Sequence, residues 1–357
     1  MRLIVIGGGA AGFFCAVNAA RLRPSLQVSL VEKTGKLLSK VRISGGGRCN
    51  VTHACFSIEE MAKRYPRGSN FVKKTFHEFF TRDTISWFAE RGVQLKTEED
   101  GRMFPVSDSS ETIIRCLLNE ADKYGVGIKL NREVKKIGRV GEMWHVEYAN
   151  GEHEEANYIC VACGGYPKSS MFEWLRQTGH TIEEPVPSLF TFNIPGSSIT
   201  KLMGISANAR VKIQGTKFSE DGAVLITHWG LSGPAVLKLS ARAARELYQT
   251  NYQFGLTVNW CPTVSEPSLR ESFAALRERS GSQRVVVRNS FGLPQRLWEH
   301  LCTSANIDAQ TRWADLSAVK QNALVKNLAA QELKVQGKTT YREEFVTAGG
   351  VRLAEIH

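Results

Sequence analysis

The order of apolar and polar residues at the start of the chain predicts a strand, a glycine turn, a helix and a second strand. Residues 2–7, RLIVIG, are apolar almost without a break, as expected for a strand buried in a parallel sheet. Residues 10–23, AAGFFCAVNAARLR, have helical spacing, and Pro24 ends the pattern. Residues 27–33, QVSLVEK, again have the pattern of a strand, so this part of the chain predicts a βαβ unit.

Longer blocks of helix and strand follow. Residues 56–92 and 110–123 have helical patterns, and we expect the aromatic side chains of the first block to pack in the core. Residues 127–165 predict successive strands, with turns near Gly141 and at Asn150-Gly151.

A cluster of prolines at residues 185–195 predicts a domain boundary near residue 190. Beyond it, residues 205–262 alternate like a β-domain, interrupted by a helix after Pro234. Residues 268–335 are mostly helical and basic, and residues 340–356 again have the pattern of strands.

The composition indicates the number of domains and the cellular compartment of the protein. The chain has 357 residues, of which 42% are hydrophobic and 23% charged, which is typical of a globular protein with two domains. Its eight cysteines are scattered, its apolar start lacks the basic segment of a signal peptide, and no run is long enough to span a membrane. These features predict a reduced, cytoplasmic protein without membrane contact.

The net charge of +11 is unevenly distributed. Residues 1–80 contain 13 Lys/Arg against 4 Asp/Glu, and residues 270–342 contain 12 against 6. This surplus favours an anionic partner such as RNA, although a solvated basic surface without a partner would have the same composition.

The first glycine cluster fits the G-x-G-x-x-G pattern with Gly7, Gly9 and Gly12. The first glycine permits the tight turn, the second lets the backbone approach a pyrophosphate, and the third lets helix and strand pack closely. Glu32 follows twenty residues after Gly12, where a carboxylate accepts the ribose hydroxyls. Because a carboxylate repels a 2′-phosphate, the pattern predicts FAD or NAD rather than NADP.

A second glycine cluster, ISGGGRCNVTH at residues 43–53, favours FAD, whose extended shape needs a later loop near the flavin. We expect Ser44 to Gly47 to form a closely approaching backbone loop and Arg48 to supply charge. Asn50 and Thr52 would supply hydrogen bonds.

At these residues the sequence resembles a family of bacterial flavoproteins that includes aminoacetone oxidase, the bile-acid-pathway reductase BaiN and the YhiN/RdsA type proteins. The matching segments run in order through nearly the whole chain: VIGGGAAG (5–12), VEK (31–33), SKVRISGGGRCNVT (39–52), GRMFPVS (101–107), ACGGYPKS (162–169), THWGLSGPAVL (227–237) and VTAGGV (346–351).

The resemblance implies an α/β, Rossmann-like FAD-binding domain of the glutathione-reductase type with an inserted domain. The FAD domain would comprise residues 1–190 and 338–357. The insert, residues 191–337, would be a β-barrel over 191–267 and helical over 268–337. Family members usually continue into an F-A-G-E segment that closes over the flavin, so we expect the C-terminal part of the FAD domain to be incomplete here.

The sequence has no second G-x-G-x-x-G unit for a nicotinamide, so a reductant such as NAD(P)H would bind transiently at the flavin, or molecular oxygen would reoxidise it. The expected FAD-contacting residues are Gly7, Gly9, Ala10, Ala11, Gly12, Glu32, Lys33, Lys40, Ser44, Gly45, Gly46, Arg48, Cys49, Asn50, Thr52, Val134, Ala162 and Gly164.

Two residues are candidates for catalysis. Cys49, whose pKa we expect Arg48 and the glycine loop to depress, would protonate a substrate carbon, or it is a small residue packed against the flavin. His228 lies shortly before a predicted helix start and is either an acid/base group or a residue that holds the loop. Cys160 and Cys163 have C-x-x-C spacing, but residues three apart on a strand point to opposite faces and make a poor disulfide. No His or Cys cluster has the spacing of metal ligands.

Three functions remain open. The first is an FAD-dependent reductase of a carbon–carbon double bond, such as that of a uridine in large-subunit ribosomal RNA, with basic helices that bind phosphates. The second is an FAD-dependent oxidase of a small amine such as aminoacetone, which would produce hydrogen peroxide. The third is a nucleic-acid-binding protein in which the flavin is structural or lost.

Overall fold

The structure, a computed structural model, describes residues 1–339 and 346–356. It divides into two compact units. Unit 1 comprises Met1–Pro185 and the C-terminal residues from Gly349 onward, and unit 2 comprises Val186–Ala348.

Unit 1 combines a parallel sheet with helices and two small antiparallel sheets. Its elements are β1 (Arg2–Ile6), α1 (Ala10–Leu22), β2 (Gln27–Val31), α2 (Ser39–Gly47), β3 (Thr52–His53), α3 (Ile58–Ala62), α4 (Ser69–Glu78), α5 (Thr81–Ala89), β4 (Leu95–Thr97), β5 (Arg102–Pro105), α6 (Ser110–Lys123), β6 (Gly127–Lys129), β7 (Val134–Val140), β8 (Met143–Tyr148), β9 (His153–Ala156), β10 (Tyr158–Val161), α7 (Glu173–Arg176) and β11 (Ile182–Ser188), which runs into unit 2.

The main sheet of unit 1 has the order β10-β1-β2-β6, and all its pairs are parallel. β1 is central, and its last four residues are buried because both faces of the sheet are covered. The apolar face of α1, which includes Phe13 and Val17, packs on one face of the sheet together with α6. The predicted βαβ unit is therefore confirmed, and the carboxyl ends of β1, β2 and β10 meet at one edge of the sheet.

The aromatic block at residues 56–92, expected to be largely helical, forms three helices. Gly68 adopts a left-handed conformation before α4, and Asp83 caps α5 by accepting the Phe80 N–H at 2.7 Å. The predicted turns near Gly141 and at Asn150-Gly151 are confirmed as the connections of the β7-β8-β9 sheet.

Unit 2 is built around a seven-stranded antiparallel sheet in the order β17-β16-β13-β14-β15-β12-β18. Its elements are β12 (Thr191–Asn193), β13 (Ser206–Ile213), β14 (Ser219–Ile226), β15 (Gly230–Ser232), α8 (Pro234–Arg242), α9 (Ala244–Gln249), β16 (Gln253–Asn259), α10 (Glu266–Ser280), α11 (Gln295–Ser304), α12 (Ala318–Ala330), β17 (Gln331–Gln336) and β18 (Lys338–Thr339), followed by β19 (Val346–Val351), which pairs with β11.

The two outermost strands of this sheet, β17 and β18, are separated in the sequence only by Gly337. A chain that leaves one edge and immediately pairs at the other closes the sheet into a barrel. The predicted helix after Pro234 begins at that proline, which occupies the first helical position of α8. Among the described residues no helix is long and apolar enough to cross a membrane.

The expected helical region over 268–337 is wrong at its end, where residues Gln331–Gln336 form a strand. β17 alternates buried and exposed residues and pairs with β16. The barrel therefore includes a strand that follows the helices in the sequence. The two units meet at 185/186 and 348/349, whereas the expected boundaries are 190/191 and 337/338. Lys338–Thr339 belongs to unit 2 because it pairs with β12. Of the strand pattern expected at 340–356, residues 340–345 lie outside the described residues, and Val346–Val351 is a strand.

Candidate cofactor and active site

The first glycine loop leaves β1 at the carboxyl edge of the parallel sheet. A Cβ on Gly7 would lie 2.5 Å from the Ala162 carbonyl oxygen, and a Cβ on Gly12 would lie 1.8 Å from the Gly7 carbonyl oxygen. Both glycines are therefore required by the packing of strand, turn and helix. A Cβ on Gly9, in contrast, would meet nothing within 4 Å. The backbone at Gly9 is thus open to close approach by a ligand.

The N-terminus of α1 follows directly on this open backbone. Gly9 is the N-cap residue, no side chain caps the helix, and the first turn has no acidic residue. The first N–H groups of a helix lack partners within the helix and carry its positive dipole end. Together with the exposed Ala10 and Ala11, this end of α1 suits the phosphates of a dinucleotide.

Glu32, at the carboxyl end of β2, is held beside the same loop. One carboxylate oxygen accepts the Gly8 N–H at 2.8 Å, and the other accepts the N–H and the hydroxyl of Thr34, each at 2.9 Å. A carboxylate has about four acceptor positions, so this one keeps capacity for a ribose hydroxyl. Sequence reasoning missed Thr34, although a threonine two residues after the acidic residue is a recognisable hydrogen-bond donor.

The second glycine cluster lies at the end of α2, where Ser44, Gly45 and Gly46 leave the helical path, as expected for a backbone loop. α2 is anchored on the first loop, because the Leu38 N–H donates to the Gly8 carbonyl at 2.8 Å. The helical path breaks at Ser44, and Gly45, Gly46 and Gly47 then adopt left-handed φ angles of 58°, 71° and 86°. A Cβ on Gly45 would lie 2.7 Å from the Phe104 ring, whereas one on Gly46 would meet nothing within 4 Å.

The Arg48 side chain forms ion pairs with two carboxylates of the protein. Its guanidinium lies 2.5 Å from Glu98 and 3.6 Å from Asp108, and it stacks 4.0 Å from the centre of the Phe104 ring. The two carboxylates offset its positive charge. The expectation that Arg48 supplies charge to the cofactor therefore has no support in this geometry.

Cys49 is buried, with 6% of its surface exposed, and it packs with the core between α1 and α6. Burial raises the pKa of its thiol, and a hydrogen bond with Ser44 offsets only part of that effect. The expected depression of the Cys49 pKa is therefore wrong, because Arg48 is engaged by Glu98 and desolvation dominates. The thiol keeps its proton at neutral pH.

The remaining residues expected at FAD lie on several elements of unit 1. Lys33 places its ammonium 5.3 Å from the centre of the Tyr166 ring. The other positions are Lys40 in the first turn of α2, exposed Asn50, Thr52 opposite Met103 in β3, Val134 at the start of β7, Ala162 bonded through its N–H to Ile6, and exposed Gly164.

His228 belongs to unit 2, whereas the glycine loops belong to unit 1. It is exposed in the turn between β14 and β15, with its ring 4.4 Å from that of Trp229. β15 separates it from the start of α8, so it does not directly precede a helix as expected. Its position in this turn fits the role of a residue that holds the loop.

Cys160 and Cys163 point to opposite faces of the parallel sheet, as predicted. Cys160 packs against the core that contains α1, and Cys163 packs against the core on the other face. Sequence reasoning missed the true neighbour of Cys160. Cys15 on α1 forms a side-chain hydrogen bond with it that lowers the pKa of Cys160 and raises that of Cys15.

The residues present fit a bound FAD. Gly9 and Gly46 leave open backbone, the uncapped end of α1 suits a pyrophosphate, and Glu32 can accept hydrogen bonds from a ribose. A parallel sheet with these features at its carboxyl edge defines a dinucleotide-binding protein of the Rossmann class.

Comparison with known proteins gives the family. The sequence model described as the HI0933-like protein Rossmann domain matches residues 1–357, and the chain belongs to this family. A ribosomal RNA dihydrouridine synthase of Haemophilus influenzae is 30% identical, over 98% of this chain and 85% of that protein. A 3-dehydro-bile acid delta(4,6)-reductase of Clostridium scindens is 25% identical, over 100% of this chain and 88% of that protein. The chain is an FAD-dependent oxidoreductase.

Proposed function

We propose that this chain reduces the carbon–carbon double bond of a uridine in large-subunit ribosomal RNA to give dihydrouridine, with NAD(P)H as the reductant. The observation that carries the proposal is the 30% identity, over 98% of the chain, to a protein named ribosomal RNA dihydrouridine synthase. A second protein of that name, from Escherichia coli, is 28% identical over 99% of the chain and 86% of its own length.

The charge of the chain supports an RNA substrate. The net charge is +11 and the calculated isoelectric point is about 9.3. A surplus of this size attracts the phosphate backbone and steers RNA to the protein. A small uncharged substrate would need no such surplus.

Reduction of a uridine requires a hydride at one carbon of the double bond and a proton at its neighbour. FAD, when bound, supplies the hydride. We propose that Cys49 supplies the proton, because its thiol is protonated at neutral pH and it follows the open backbone of Gly46 by three residues; the substrate would meet it at the 6% of its surface that is exposed. The neighbouring left-handed glycines leave open backbone at Gly46, which allows a flat group to approach.

The test uses purified, FAD-loaded protein with NADH or NADPH and an unmodified transcript of large-subunit ribosomal RNA. We expect RNA-dependent oxidation of the nicotinamide and a gain of two hydrogens in one RNA fragment, detected by mass spectrometry. Cys49→Ala should lower kcat while the flavin absorption stays unchanged. A protein that binds FAD but neither oxidises the nicotinamide with RNA nor changes the RNA mass would refute the proposal.

A second candidate is the reduction of a small molecule with a conjugated double bond. It is favoured by the Clostridium scindens relative, a bile acid reductase that matches 100% of this chain. The same assay with an unsaturated 3-oxo steroid in place of RNA separates the two candidates. Turnover of the steroid without turnover of RNA would establish the second and exclude the first.

A further inference from the structure

Two exposed arginines of unit 2 face each other on a short bridge outside the main sheet. Arg284 and Arg312 are opposite residues of an isolated antiparallel bridge. The backbone hydrogen bonds of 2.9 and 3.0 Å on either side join their neighbours, so the two arginines form a non-hydrogen-bonded pair. In such a pair the side chains lie closer together than in the hydrogen-bonded kind.

The residues that follow them fix which way the arginines point. Val285 and Trp313 have no exposed surface and pack in the core of unit 2. Since successive residues of an extended segment point to opposite sides, Arg284 and Arg312 are turned outward, and both are exposed. The exposed Arg288 lies one turn further on, with its N–H bonded to the Arg284 carbonyl at 3.3 Å.

None of these three arginines forms an ion pair with a carboxylate of the described residues. Other cations of unit 2 do, since Arg270 lies 2.7 Å from Glu266 and Lys326 lies 3.0 Å from Glu332. Like charges directly opposite each other in an antiparallel pair are destabilising. An exposed, uncompensated arginine pair is therefore a cost to the fold that a bound anion would remove.

We infer that Arg284, Arg288 and Arg312 bind phosphate groups of the RNA backbone. The inference rests on the proposed function and adds the surface by which unit 2 holds the substrate. Arginine suits this role because its planar fork can make two parallel hydrogen bonds to a phosphate. We refer to these three residues as the arginine clamp.

The test compares two double variants that remove the same charge. R284Q/R312Q removes the opposed pair, whereas the control R270Q/K326Q removes two cations that already have carboxylate partners. Binding is measured by fluorescence anisotropy with a labelled oligouridylate and with large-subunit ribosomal RNA, over a range of salt concentrations. We expect R284Q/R312Q to weaken binding about tenfold and to reduce the salt slope by about 1.4, or 0.7 for each lost contact to a single strand.

Thermal unfolding distinguishes RNA binding from a structural role of the two arginines. If the arginines stabilise the fold, replacing them lowers the unfolding temperature. Because the substitution relieves repulsion, R284Q/R312Q should unfold at the wild-type temperature or above it. R284K/R312K keeps both charges and should keep the salt slope. A clear drop in the unfolding temperature of R284Q/R312Q with unchanged RNA affinity would show that the arginines are structural and would overturn the inference.

The failures of the two proposals are distinguishable. If the wild-type protein reduces ribosomal RNA but R284Q/R312Q binds it like the control variant, the clamp is wrong and the proposed function stands. If the wild-type protein binds no RNA, both are wrong. If an oligoglutamate peptide depends on the two arginines and RNA does not, the surface binds an acidic protein segment and the inference is overturned.

Discussion

Gly9 is the N-cap residue of α1 and Gly12 lies in its first turn, yet the structure predicts opposite consequences for replacing them with alanine. In Gly12→Ala the new Cβ would lie 1.8 Å from the Gly7 carbonyl oxygen, a contact that only backbone movement can relieve. Alanine gains about 1 kcal/mol of helix propensity over glycine, and overpacking costs about 1–3 kcal/mol or more. At an overlap this severe the steric cost dominates, and we expect a net loss of at least about 2 kcal/mol.

In Gly9→Ala the new Cβ meets nothing within 4 Å, and the φ of −92° is one that alanine adopts freely. Loss of a glycine N-cap costs less than about 1 kcal/mol, so the fold should remain intact. The methyl group would, however, occupy the open space at the end of α1. We therefore expect the affinity for FAD to fall at least tenfold.

The two variants are compared by urea unfolding of the flavin-free protein and by FAD titration followed through flavin fluorescence. Gly12→Ala should shift the unfolding midpoint, and Gly9→Ala should shift only the binding curve. If Gly12→Ala unfolds like the wild type, the close packing at Gly7 is not as described. If Gly9→Ala binds FAD like the wild type, the pyrophosphate does not lie at the end of α1.

Three further outcomes follow from groups outside the glycine loops. Glu120→Gln should destabilise the fold by about 3 kcal/mol in urea unfolding, because the Arg91 guanidinium, only 10% exposed, loses its buried partner at 2.7 Å and keeps only the exposed Glu90 at 3.5 Å. A loss below about 1 kcal/mol would show that Glu90 or water compensates the charge. Burial lowers the pKa of His300, so the unfolded chain binds the proton first and stability should fall as the pH drops below about 6.5, a dependence that His300→Gln should flatten. Cys15→Ala removes the hydrogen bond that lowers the pKa of Cys160, so iodoacetamide should modify Cys160 more slowly near neutral pH, as measured by peptide mass spectrometry; an equal rate in wild type and variant would contradict the contact.

Local patterns were enough to predict the βαβ unit and the start of α8. An unbroken apolar strand, glycines at a fixed spacing and a proline at a helix start each act within a few residues of the chain. The strand β17 had a local signal too, since QELKVQ alternates regularly. It was missed because it follows α12 without a break, and the helical pattern was extended too far.

The ion pair of Arg48 and the pKa of Cys49 could not be predicted from local patterns. The partner of Arg48, Glu98, lies 50 residues further along the chain, and the ring on which it stacks belongs to β5. Sequence spacing carries no information about such a contact. With Arg48 engaged there, burial outweighs the hydrogen bond with Ser44 and raises the pKa of Cys49, the reverse of the direction expected from the neighbouring residues.

The two glycine clusters are also distant in the sequence but in contact in the fold. The residue that connects them is Gly8, a position that the G-x-G-x-x-G pattern does not specify. Gly8 occupies the first variable position of G-x-G-x-x-G, yet a Cβ there would lie 2.7 Å from Leu37 and 3.0 Å from Glu32. Its N–H donates to Glu32, and its carbonyl accepts the N–H of Leu38, where α2 begins. A side chain at Gly8 would therefore push away both the carboxylate that faces the ribose position and the helix that carries the second cluster. We conclude that Gly8 couples the two glycine clusters.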